Sequence, residues 1–215
     1  MVRVKNADEI RDMIKKHPMD KRRVFSIAAH IDHGKTTTSD YLLRKAGLMS
    51  DADAGKKVMM DSDEEEQERG ITIFTSVVLL SYELDGDTYL CAINDTPGHI
   101  SFTGEVSRAL RGSDGVVILV DALEGVMTQT ETNIRLSLQE MCKPVLFINK
   151  VDRLISELRL PPKEVFNRID NIISQVNRLI RANAPPHLAK SWQVSFKAGS
   201  VTVGSAKDGW AFNMT

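Results

Sequence analysis

Residues 24–36 read VFSIAAHIDHGKT: an apolar run, then the loop from Ala29 to Thr36, then a stretch of helical character ending near Gly47. This is the sequence of a phosphate-binding loop set between a strand and a helix. Such a tight turn points backbone N–H groups and a helix N-terminus at phosphate oxygens, while Lys35 adds a point charge and the Thr36 hydroxyl a ligand for Mg²⁺. His30, Ile31, Asp32, His33, Gly34 and Thr37 complete the candidate phosphate-binding loop. Its first position is Ala29 where the strict motif has glycine, so the flanking strand and helix carry the assignment as much as the motif does.

Working outward, strand and helix alternate. Strands are expected at 24–28, 73–82 and 88–94, the last two joined by a turn at Asp85 and Gly86, with a helix through Phe102, Val106, Ala109 and Leu110 after them. Residues 115–120 and 145–148 are short continuous apolar runs, as in strands covered on both faces, and a helix over about 129–141 separates them. The implied fold class is α/β, a P-loop NTPase with a mostly parallel, doubly wound sheet and helices on both faces. Ligands of such sheets sit at the carboxyl ends of the strands, where Ala29, Asp95, Asp121 and Asn149 all fall.

The flanking segments are read more coarsely. Ala7, Ile10, Met13 and Ile14 recur at helical spacing, predicting a short helix that packs through one face, within an N-terminal extension over 1–20 ahead of a domain over 21–215. The polar segment 50–72, with Asp61, Asp63, Glu64, Glu65, Glu66 and Glu68, is too long for a routine connection and is expected to be a mobile switch. A small α/β insert is expected over roughly 155–200, before the last strand. It begins with an amphipathic helix through Val165, Ile169, Ile172, Val176 and Ile180, and residues 192–196 and 201–203 then alternate like a hairpin around Gly199.

Composition sets limits on function. A chain of 215 residues makes one full α/β domain. A net charge of −1 gives no global attraction to nucleic acid or to an anionic membrane. Cys91 and Cys142 lie in or beside apolar stretches without metal-ligand spacing, which fits reduced, buried thiols and a cytoplasmic protein. No apolar run approaches membrane-spanning length, and the charged N-terminus has no signal core, so neither membrane insertion nor secretion is expected.

The chemistry gathers at the strand tips. Asp95 ends a strand and suits Mg²⁺ through water, and the Gly98 N–H can meet a γ-phosphate without a side-chain clash. Asn149, Lys150 and Asp152 end another strand; a carboxylate at Asp152 accepts from both N1–H and the exocyclic amine of guanine, whereas adenine presents an acceptor there. A P-loop ATPase would share Lys35, Thr36 and Asp95 but leaves these three residues unexplained. Ser205, Ala206 and Lys207 follow the last expected strand, where backbone N–H groups can meet the guanine O6. Thr72, after Arg69, Gly70 and Ile71, is placed to give Mg²⁺ a hydroxyl while the γ-phosphate is present.

These residues resemble the translational GTPases, and among them the ribosomal translocases of archaea and eukaryotes. The segments AHIDHGKTT, DEEEQERGITI, INDTPGHISF, VDALEGVMTQTE, KPVLFINKVDRL and GSAKDGWAF carry the likeness over nearly the whole chain. The resemblance implies a GTPase that converts GTP to GDP and phosphate with Mg²⁺. It implies stimulation by the ribosome, through large-subunit rRNA and stalk proteins, and GTP-dependent movement of tRNA and mRNA by the full factor. It implies no membrane or DNA partner, and a monomeric isolated domain. It also makes His99 the catalytic histidine that orients the attacking water, a role held by Gln in small GTPases. Asp32 becomes a ligand of a monovalent cation, K⁺ or Na⁺, and His33 a packing or ribosome-facing residue. Ser101, Thr128 and Thr38 depart from the usual Asp, Pro and Leu of these relatives; none is a nucleotide ligand, and Ser101 is expected to cap the switch helix. The chain stops at Thr215 where such factors continue into a last GTPase helix and further domains, so one sheet face is expected to be partly uncovered. A non-catalytic guanine-nucleotide switch, a ribosome-docking module and another translational GTPase remain the alternatives.

Overall fold

The structure, a computed structural model, describes residues 7–45, 75–98 and 100–213. The acidic segment 50–72, Thr72 and His99 lie outside the described residues. A helix α1 (Ala7–Lys16) and a 3-10 turn precede β1 (Arg22–Ala29), and α2 (Lys35–Lys45) follows the phosphate loop. Then come β2 (Ser76–Leu84), β3 (Asp87–Asp95), α3 (Thr103–Arg111), β4 (Gly115–Asp121), α4 (Thr128–Gln139) and β5 (Lys143–Asn149). The chain closes with α5 (Val151–Ser156), α6 (Pro162–Asn183), β6 (Val201–Ser205) and β7 (Trp210–Asn213).

The strands form one sheet in the order β2-β3-β1-β4-β5-β6-β7. The five inner strands are parallel, and β2 and β7 run antiparallel at the two edges. Parallel strands need crossovers, and here helices supply them on both faces. Strand alternation divides the core. Ile27 joins Leu43 of α2 with Leu80 and Ile93 on one face, whereas its neighbour Ala28 faces Val106, Leu110, Ile134 and Leu138 on the other. On α6, Ile169, Ile172, Val176 and Ile180 form the buried stripe that the helical spacing predicts, each contributing about 1.5–3 kcal/mol of burial. The β2–β3 hairpin turns at Asp85 (φ 53°) and Gly86 (φ 82°), the paired left-handed residues that match the twist of the flanking strands.

Two expectations need correction. Residues 192–196 form no strand; Asn177 on α6 donates to the Val194 carbonyl and accepts its N–H, each at 2.8 Å, so a side chain satisfies the backbone that a ladder would have paired. The hairpin partner of β6 is β7, across the turn at 206–209. Ser101 lies in a 3-10 turn, Ile100–Phe102, and the N-cap position of α3 is Phe102, which makes no side-chain cap bond. On α1, Ile14 is 36% exposed, and the side chains of Ala7, Ile10 and Met13, the rest of the face expected to pack, lie outside the described residues.

The consequence for function lies in the strand ends. Ala29, Asp95, Asp121 and Asn149 are the last residues of β1, β3, β4 and β5, four neighbouring strands whose carboxyl ends share one edge of the sheet. Among the described residues no helix is long and apolar enough to cross a membrane.

Candidate functional site

The loop after β1 is shaped by Gly34. Its φ of +90° suits glycine, and a Cβ built there would lie 2.4 Å from Asn149 Nδ2. Helix α2 starts at Lys35, and the first helical bond runs from the Thr38 N–H to the Gly34 carbonyl at 2.9 Å. The N–H groups of Lys35, Thr36 and Thr37 therefore sit in the first turn without intrahelical acceptors, at the positive end of the helix dipole. Thr38 is buried and returns its hydroxyl to the Gly34 carbonyl at 2.8 Å, so the first helical carbonyl accepts from both the backbone and the side chain of Thr38. Asp32 is exposed with φ 63°.

Asp95 is fully buried at the tip of β3, with Lys35 Nζ 3.0 Å from its Oδ2. Thr96 fastens the segment that follows, donating its hydroxyl to the Ile27 carbonyl at 2.7 Å. Gly98 then runs along the phosphate loop, so close that a Cβ would stand 3.4 Å from the Ala29 carbonyl. One carboxylate and the Thr36 hydroxyl are hard oxygen donors, the set Mg²⁺ takes when phosphates and water complete its shell. Among the described residues no cluster of three or more His, Cys, Asp or Glu side chains is placed to hold a metal by itself, and Mg²⁺ on a nucleotide needs no such cage.

At the end of β5 the Asn149 amide joins two loops. It donates to the His33 carbonyl at 3.0 Å and accepts from the Ala206 N–H at 2.9 Å, so that N–H, expected to face the base, is turned toward Asn149. Lys150 has φ 59°, and its ammonium reaches the Asp32 carbonyl and, at 3.0 Å, Asp121 Oδ2. A pocket of about 330 Å³ opens beside these residues, lined by Gly34, Thr37, Asn149, Asp152, Arg153 and Lys207. Asp152 Oδ1 is buried there and meets no hydrogen-bond donor among the described residues. An acceptor shielded from water without a donor is costly, and a ligand that brings N–H groups relieves it. Ser205 is buried and its hydroxyl accepts the Asp208 N–H at 3.1 Å, shaping the turn that carries Ala206 and Lys207.

His33 is fully buried, so its side chain packs and does not face an outside partner as the second expectation for it held. Its Nδ1 lies 3.2 Å from the Asp121 N–H, an obligate donor, and its Nε2 lies 3.2 Å from Glu124 Oε2. The proton is assigned to Nε2, which donates to the carboxylate. Burial pushes the ring below the ordinary histidine value, so it is neutral at pH 7.

Sequence reasoning missed two braces of the loop. Gln129 Oε1 accepts the Ile31 N–H at 3.2 Å, and Asn133 Nδ2 donates to the Ala29 carbonyl at 3.3 Å. They stand one turn apart on α4, and Asn133 is a buried polar residue beside the core residue Ile134. A polar side chain on the inward stripe of a helix was the available signal.

Residues 20–215 match the family described as elongation factor Tu GTP binding domain. The chain is 53% identical over 195 residues to elongation factor 2 of Picrophilus torridus, covering 91% of this chain and 27% of that protein. It is 48% identical over 214 residues to elongation factor 2 of Cenarchaeum symbiosum, covering 100% of this chain and 29% of that protein. With elongation factor 2 of Pyrococcus horikoshii the identity is 53% over 195 residues, 91% of this chain and 27% of the relative. The chain thus spans under a third of the length of the curated relatives it matches. A phosphate loop and a base-sized pocket at one sheet edge, together with these matches, place the chain in the elongation factor Tu GTP-binding domain family, among the translational GTPases.

Proposed function

We propose that this chain binds GTP and GDP with Mg²⁺, hydrolyses GTP to GDP and phosphate, and serves as the nucleotide-driven domain of a ribosomal translocase that moves tRNA and mRNA. The observation that carries the reading is the buried Asp152 Oδ1, an acceptor awaiting donors in a pocket next to Gly34. Guanine brings two donors to that carboxylate; adenine brings none in the same register. Asn149 and Lys150 hold the pocket against the phosphate loop, Lys207 lines it, and Ser205 and Ala206 shape the turn behind it.

The first-turn N–H groups of α2 and the Lys35 ammonium bind the β- and γ-phosphates, with Gly98 meeting the γ-phosphate. His30, Ile31, Asp32, His33 and Gly34 give the loop its path around them, and Thr37 continues its wall. Thr36, Thr72 and Asp95 would hold Mg²⁺, which when bound supplies positive charge to the phosphate oxygens. Asp32 is exposed beside the loop, a place open to a monovalent cation such as K⁺ or Na⁺. His99, directly after Gly98 in the chain, orients the attacking water. Large-subunit rRNA and stalk proteins are the partners that bring His99 into position, and the cytoplasm is the site of action.

Asp152→Asn tests the base reading. The amide reverses one donor–acceptor match, so GDP affinity should fall on the order of 10²-fold or more, while xanthosine diphosphate gains. Isothermal titration with both nucleotides reads this out. Unchanged GDP affinity would overturn the assignment.

A further inference from the structure

We propose that Asp121 is a positioning residue that joins Lys150 to the phosphate loop and thereby sets how long a guanine nucleotide stays bound. The inference rests on the guanine-nucleotide reading above. Asp121 ends β4 and is 0% exposed, and its polar groups reach the phosphate loop, the loop 123–125 and Lys150.

Its N–H donates to His33 Nδ1 in the phosphate loop at 3.2 Å. Its Oδ1 accepts the Leu123 N–H at 2.7 Å and the Glu124 N–H at 3.4 Å, which orders the loop that carries Glu124 back to His33 Nε2. Its Oδ2 takes the Lys150 ammonium at 3.0 Å, with an Arg153 guanidinium nitrogen at 3.7 Å. The next residue, Ala122, donates its N–H to the Asn149 carbonyl at 2.8 Å. Phosphate loop and base-reading segment therefore meet through Asp121 on both its backbone and its side chain.

The charge has a specific task. Lys150 sits at φ 59°, a costly backbone for a non-glycine residue, and its side chain is 25% exposed, so water competes for the ammonium. The Asp32 carbonyl alone is a neutral acceptor, whereas the buried carboxylate of Asp121 pairs with the ammonium as an ion of opposite charge. With the carboxylate in place, Lys150 is held across the loop from Asp32 to the end of β4. Burial pushes the Asp121 carboxyl up, but Lys150 and the Leu123 and Glu124 N–H groups outweigh it, and the group stays ionised below the ordinary carboxylate value. Arg153 and Lys150 face it on the ligand side, and Glu124 and neutral His33 on the other.

Asp121→Asn keeps an oxygen for the Leu123 and Glu124 N–H groups, removes the charge and sets an N–H₂ donor where Oδ2 faced the Lys150 ammonium. Dissociation of a fluorescent N-methylanthraniloyl-GDP, followed by stopped flow on the protein with Mg²⁺, should speed up roughly tenfold. Association rate and the GDP-over-xanthosine-diphosphate preference should stay as they are. Lys150→Gln should also speed dissociation about tenfold, and the double variant should be no faster than about that, because both remove the same bond. A dissociation rate for D121N within twofold of the unchanged protein overturns the proposal, as does a double variant as fast as the product of the singles. If D121N does not fold, K150Q within twofold of the unchanged protein overturns it equally. Failure of the unchanged protein to bind GDP defeats the guanine-nucleotide reading as well. GDP binding that depends on Asp152, with D121N at the unchanged rate, defeats the Asp121 role alone.

Discussion

Replacing Gly34 by Ala puts a methyl group into the tightest contact of the site. Gly34 has φ +90°, and the added Cβ would lie 2.4 Å from Asn149 Nδ2, well inside van der Waals contact. The backbone conformation alone costs a non-glycine residue about 1–2 kcal/mol. The Asn149 amide must also move, and it is 2% exposed with bonds to the His33 carbonyl and the Ala206 N–H. Losing both leaves buried groups poorly satisfied, adding about 1–3 kcal/mol. The total is about 2–5 kcal/mol, and for a domain of this size about 2–4 °C per kcal/mol gives a Tm lower by roughly 4–20 °C. Gly86→Ala is the matched control: φ is +82° and nothing lies within 4 Å of the added Cβ, so it carries the backbone cost alone. Differential scanning fluorimetry on both variants separates clash from strain. GDP affinity should fall with G34A and hold with G86A. A G34A protein no less stable than G86A would refute the claim that Asn149 and the phosphate loop are packed against each other.

Acid sensitivity has a named contributor. Glu140 is held at about 2, against an ordinary 4.5, by the Arg111 guanidinium and the Ser107 hydroxyl. A depressed carboxyl adds stability that is present above the ordinary value and is lost as pH falls through 4.5 toward 2. Glu140→Gln should therefore flatten the decline in urea midpoint between pH 5 and pH 2, and an unchanged slope would count against the contact. Burial pushes the Cys142 thiol up to about 12, while Cys91 is half-buried and raised less. At pH 8 a thiol reagent should leave Cys142 unmodified in the folded protein and label it only on unfolding, as peptide mass mapping would read; rapid labelling of Cys142 would contradict its burial.

The sequence was most legible where chemistry is local. A strand, the residues AHIDHGKT and a helix specify their own turn, and the carboxyl-end positions of Ala29, Asp95, Asp121 and Asn149 follow from the alternation of elements. Contacts across long separations were not legible. Glu124, Gln129 and Asn133 reach His33, Ile31 and Ala29 over 91, 98 and 104 residues, and nothing local marks such partners. The alternating residues 192–196 misled for a related reason: period two reports a half-buried surface, and Asn177 on α6 satisfied the backbone before a strand neighbour did. His33 looked ambiguous because its burial depends on what β4 and its loop bring over it.

The proposed function depends on guanine selection by the pocket beside Asp152. Isothermal titration of the unchanged protein with GDP and with ADP, each with Mg²⁺, measures that selection directly. GDP should bind tighter than ADP by on the order of 10³-fold or more, because the buried carboxylate would find its donors only on guanine. ADP bound within tenfold of GDP would contradict it.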